Sequence, residues 1–133
     1  MTIRDFAKRV QFNEENQIME VDFSDLAFDD NEQVNAFYDM VDQQIAQTGR
    51  NWFFLVNYKN CKIDPKAWVA FAHRGKRVNI QHSLGSVRYS AREAEKNVIE
   101  NRSKSESFDA NLFESREAAM AQLVQMGAGD AKH

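Results

Sequence analysis

A single α/β domain built on a mixed sheet is predicted for this chain of 133 residues from three observations. Trp52 to Val56 is apolar at every position, which suits a strand covered on both faces in the middle of a sheet. Ahead of it, two short segments of alternating parity flank the polar run Asn13 to Asn16, the pattern of a β-hairpin. Beyond it, helical periodicity fills the gaps between strands, favouring parallel pairing through right-handed crossovers.

Phe6, Val10 and Phe12 keep one parity in the first arm of the hairpin, and Met19, Val21 and Phe23 keep it in the second. From Asp30 the period changes, and Val34, Phe37, Tyr38, Val41 and Ile45 fall on one helical face, with Gly49 at the left-handed position past its end. Asp39, Asp42 and Gln43 take the opposite, solvent-facing side. After the central strand, Asp64 is a carboxylate N-cap and Pro65 occupies the first helical position, where its fixed φ and missing N–H cost nothing. Trp68, Phe71 and Ala72 form the inward stripe of that second helix, with its end expected near Gly75. A strand is expected at Leu84 to Tyr89, then a helix capped by the Ser90 and Glu93 pair and carrying Ala94, Val98 and Ile99. Ser103 to Ser107 is a polar loop; Phe108, Leu112 and Phe113 return apolar side chains to the body. Ser115 caps a last helix with Ala119, Met120 and Leu123 inward. The domain spans 1–126, with about four helices, and 127–133 form a loose tail.

The net charge of −3 conceals a segregation. Val10 to Gly49 holds ten acidic residues and no Lys or Arg, whereas Arg50 to Arg92 holds nine Lys or Arg and the single acid Asp64. Either the two blocks fold near each other as solvated faces, or they form separate surfaces that steer an anionic partner or a second copy of the chain. Cys61 is the only cysteine, which rules out an intramolecular disulfide and suits a reducing cytoplasm. No segment approaches the roughly 20 apolar residues of a membrane span, so a cytoplasmic location is expected.

In open sheets of this order, ligands gather beyond the carboxyl ends of the strands. That edge is expected to contain Tyr58, Lys59, Asn60, Lys62, Asp64 and Lys66, with Tyr89, Ser90 and Arg92 beside them. The helix start at Asp64 is either plainly capped by its own carboxylate or offers backbone donors to an anion. His73, Arg74, Lys76 and Arg77 read as cations meeting the negative end of the second helix, and no interleaved exposed aromatics argue for nucleic acid.

The strand WFFLVNY, the loop KNCKIDPKAW opening a helix, and the closing phrase NLFESREAAMAQL resemble the STAS domains, the anti-sigma-factor antagonist group. The likeness is greatest to the bacterial SpoIIAA-like branch, which is also compared with the SEC14 lipid-binding fold. Members of that family typically carry an Asp-Ser-Ser-Gly type turn with a phosphorylated serine. Here Asp64 remains, but Pro65, Lys66 and Ala67 stand where the serines and glycine would be, so the phosphoacceptor is missing. The resemblance implies a regulatory module that binds another protein, and its SEC14 side implies a small anionic or lipid-like ligand beneath Trp52 and Trp68 as the alternative.

No GxSxG elbow, Walker loop, CxxC, HExxH or Gly-rich dinucleotide fingerprint occurs. No enzyme, no metal and no cofactor are therefore expected. Protein binding is the function expected, with another protein or the chain itself as partner.

Overall fold

The computed structural model describes residues 8–90 and 112–128. Their α/β architecture has a five-stranded mixed sheet, a two-stranded accessory sheet and three helices. Strands β1 (Val10–Asn13) and β2 (Ile18–Asp22) form the hairpin. They are followed by β3 (Ala27–Phe28), α1 (Asn31–Thr48), β4 (Trp52–Asn57), β5 (Lys62–Ile63), a 3-10 turn at Pro65–Ala67, α2 (Trp68–His82), β6 (Ser83–Tyr89), β7 (Leu112–Phe113) and α3 (Arg116–Met126). The main sheet runs β1-β2-β4-β6-β7, antiparallel only between β1 and β2. Phe6 and the helix expected after Ser90, with Glu93, Ala94, Val98 and Ile99, lie outside the described residues, as do Ser103 to Ser107 and Phe108. The helices therefore number three among the described residues, against about four expected.

β4 occupies the centre of the sheet, and all of Trp52 to Val56 is buried. Its uniform apolarity has a direct cause: Phe54 and Val56 enter one core, Phe53 and Leu55 the other. The first core lies under α1 and α2. Both crossovers, β2 to β4 and β4 to β6, step in the same direction across the sheet, and right-handed connections then place both helices on one face. There Phe23, Phe28, Phe37, Tyr38, Tyr58 and Phe71 meet as an aromatic nest with ring centroids 4.6 to 6.1 Å apart. Each buried phenylalanine ring contributes roughly 1.5–3 kcal/mol of transfer free energy. α3 covers the second face through Ala119 and Leu123 over Phe53, Leu55 and Val87. Gly85 permits this approach, because a Cβ there would lie 3.1 Å from the Met126 sulfur and 3.3 Å from the Phe53 ring.

Gly49 and Ser115 cap α1 and α3 as expected, and Asp30 adds an N-cap to α1. Asp30 accepts a hydrogen bond from Gln33 N at 3.0 Å, and Gly49 closes α1 at φ +68°. Ser115 accepts from Ala118 N at 3.1 Å, and α3 ends at Gly127, whose neighbour Ala128 is buried and donates to Leu123 O at 3.0 Å. The first two residues assigned to the tail are thus packed as a helix cap.

α2 departs from expectation: it runs through Gly75 to His82 and buries Val78. Gly75 is not a stop but a notch. A Cβ there would sit 3.2 Å from the Tyr38 hydroxyl oxygen, so the small residue lets α1 and α2 close over the aromatic nest. This extension also moves His73, Arg74, Lys76 and Arg77 to mid-helix, away from the negative pole invoked for them. Arg74 turns to α1 instead, donating to Asp39 (2.8 Å), Asp42 (3.1 Å) and Asn35 (3.0 Å). The acidic and basic blocks meet at this seam.

Candidate functional site

The carboxyl ends of β2, β4 and β6 form one rim, held by backbone hydrogen bonds between successive segments. Phe23 N donates to Asn57 O (2.8 Å), Asp25 N to Lys59 O (3.1 Å), Tyr58 N to Tyr89 O (2.9 Å) and Ser90 N to Phe113 O (3.0 Å). β3 and β5, two residues each, pair in parallel as an accessory ribbon between this rim and the helices. Lys62 N donates to Leu26 O and Asp64 N to Phe28 O. This ribbon was not foreseen, since segments of two residues carry no periodicity to read.

The expected site residues divide by where their side chains go. Tyr58 points inward: it is buried and stacks on Phe23 with centroids 5.0 Å apart. Its hydroxyl is hydrogen-bonded with Arg88 and with Tyr38. Burial pushes the Tyr58 phenol above its ordinary value, although the Arg88 guanidinium opposes the shift. Burial raises Tyr38 well above its usual range, reinforced by Tyr58. Both phenols are therefore neutral hydrogen-bonding anchors at neutral pH. Ser90 is fully buried beside the end of β6. Tyr89, half-buried, belongs to the opposite face of the sheet, next to Asn57 in the register. Arg92 lies outside the described residues.

Lys59, Asn60, Lys62, Asp64 and Lys66 do follow one another along the rim, with the three lysines exposed. Among the described residues no carboxylate pairs with these lysines, whereas Arg9, Arg74 and Arg116 are all in ion pairs. Asp64 acts as the cap predicted for it, accepting from Lys66 N at 3.0 Å; Pro65 opens the 3-10 turn, and the α-helix proper begins at Trp68. Trp68 is half-buried and donates its indole N–H to Ile63 O at 2.7 Å, which pins the turn to β5. The Asp64 carboxylate thus occupies a donor that an anion would need.

One rim residue escaped the sequence reading. Asp25 accepts from the Asn60 side-chain N at 2.7 Å, and both residues adopt left-handed backbone, at φ 59° and 58°. Asn and Asp tolerate that region better than other side chains, through local hydrogen bonding. The signal was therefore present in composition, but their mutual contact depends on β2 and β4 being neighbours. The pair clamps the loop that carries Lys59 and Lys62.

Under α1 and α2, the hollow lined by Tyr38, Tyr58, Gly75 and Arg88 measures about 20 Å³, room for about one water. Trp52 is fully buried, and its indole N–H donates to Thr48 at 2.9 Å. Among the described residues no three His, Cys, Asp or Glu side chains gather as a metal site, and no helix is long and apolar enough to cross a membrane. Comparison with family models, with curated proteins and with solved structures returns no match for this chain.

Proposed function

We propose that the chain is a non-catalytic regulatory module that binds an acidic surface of another protein through the rim from Lys59 to Lys66. The observation carrying this reading is the contrast in charge satisfaction: three exposed lysines on a loop tied by the Asn60–Asp25 hydrogen bond have no carboxylate partner among the described residues, while Arg9, Arg74 and Arg116 are held in ion pairs. Unpaired cations on a pre-organised loop raise the association rate with an anionic surface and lose little entropy on docking. The STAS-type reading of the family is supported by the succession of a hairpin, a covered central strand and a proline-started helix turn on the carboxyl side of the sheet. With Lys66 in place of a phosphoacceptor, docking in this module is constitutive and not set by a phosphate at that turn.

Affinity capture with the full chain and with the K59E/K62E/K66E triple variant tests the proposal. A partner retained by the native chain, released by high salt and lost with the reversed charges supports it, provided the variant keeps the native circular dichroism and melting temperature. Equal recovery by both proteins overturns it.

A further inference from the structure

Among the described residues, the face of the sheet opposite α1 and α2 is only partly covered. Among the described residues α3 lies over β4, β6 and β7, leaving β1 and β2 beside it with polar side chains. The register explains how they line up: Gln11, Glu20 and Leu55 form one row across three strands, and Asp22, Asn57 and Tyr89 form the next. Two hollows open there, about 550 and 150 Å³, and they share Gln11 and Glu20 as a common wall. The larger falls within the roughly 300–1,000 Å³ of ordinary small-molecule sites, and Asp22, Asn57 and Tyr89 line the smaller, on the other side of Gln11 and Glu20. The ion pair of Arg116 with Glu20 ties α3 to β2 at the larger hollow.

The geometry points to this trough as a binding site for a small neutral polyhydroxylated molecule, a sugar or polyol. Its charged lining cancels, with Glu14, Glu20 and Asp22 set against Lys8, Arg9 and Arg116, so neither anions nor cations are favoured. Hydroxyl groups need donors and acceptors in alternation, and the trough supplies both. The Asn57 carboxamide oxygen accepts from Lys59 N, which holds the side chain and leaves its NH₂ to donate. The Tyr89 hydroxyl and the Gln11 amide likewise have no partner among the described residues. Arg116 engages a single Glu20 oxygen, and Ser24 N binds a single Asp22 oxygen, so one acceptor remains on each carboxylate. The half-buried Tyr89 ring adds an apolar surface for the C–H side of a sugar ring.

The test is an amide-correlation NMR titration of the full chain with glucose and with sorbitol, with gluconate and glucosamine as charged counterparts. Saturable shifts at Gln11, Glu20, Asn57 and Tyr89, with a Kd on the order of 1 mM or tighter, are expected for a neutral probe. Asn57→Asp, which keeps the acceptor for Lys59 N, and Tyr89→Phe each weaken binding by about five- to tenfold, while Gln43→Ala on exposed α1 leaves it unchanged. Absence of saturable shifts with both neutral probes, shifts centred elsewhere, unaltered affinity in both site variants, or tenfold preference for a charged analogue would each overturn the assignment.

Discussion

Replacing Gly75 by Ala sets two effects of known sign against each other. Inside an exposed helix, Gly to Ala gains about 1 kcal/mol from backbone entropy and helix propensity. At this position the new methyl lies 3.2 Å from the Tyr38 hydroxyl oxygen. Tyr38 is held on most sides, with only the hollow of about 20 Å³ beside it: its ring is buried among Phe23, Phe37 and Phe71, and Tyr58 engages its hydroxyl. Overpacking of this sort costs about 1–3 kcal/mol, so the net expectation is a destabilisation of up to roughly 2 kcal/mol. In a Tyr38→Phe background the oxygen is gone and the nearest atom is the ring carbon at 3.9 Å, an ordinary contact. The same Gly75→Ala change then stabilises by about 1 kcal/mol. Urea unfolding of the four proteins in the cycle measures the coupling, expected at about 1–3 kcal/mol. A Gly75→Ala protein stabilised equally in both backgrounds refutes the notch and leaves the glycine without a packing reason.

Arg74→Ala removes three hydrogen bonds that join α2 to α1. Because Asp39 is largely exposed, the expected loss is held to about 1–2 kcal/mol. Arg74→Lys restores less than half of it, since an ammonium cannot span the same acceptors; full rescue by Lys in chemical denaturation would contradict the forked geometry. Alkaline titration tests the buried phenols. Tyr38 and Tyr58 have folded-state pKa values raised above that of the unfolded chain, chiefly by burial. Their contribution is intact below about pH 10 and falls as pH climbs toward the folded values, by up to roughly 1.4 kcal/mol per pH unit for each phenol still protonated. Tyrosinate absorbance is therefore expected to rise together with loss of tertiary circular dichroism; ionisation of all three tyrosines in the native state near pH 10 would contradict the buried hydroxyl network.

Local chemistry made much of this molecule legible. Trp52 to Val56 announced a central strand because both of its faces had to be apolar, the change of period at Asp30 marked the start of α1, and Gly49 and Ser115 marked helix ends because capping is satisfied within a few residues. Asp64 and Pro65 likewise identified the turn that leads into α2, though its first residues wind as 3-10. Tyr58 and Lys59, adjacent in sequence, could not be sorted the same way: which one enters the aromatic nest depends on where Phe23 and Phe71 arrive. Nor could the polar residues of β1 and β2 be distinguished from an ordinary solvent face, since alternation of Gln11, Glu20 and Asp22 reads identically in both cases.

Sequence alone determined the α/β class, the covered strand and the capped helix ends, because these depend on periodicity and on hydrogen bonds closed over short spans. Tertiary structure decided that Gly75 is a seat for Tyr38, that Asn60 is clamped by Asp25, and that the acidic and basic blocks join through Arg74. Each of these is a contact between residues more than thirty positions apart. Such contacts exist only once strand order has brought their elements together, and no local propensity encodes them.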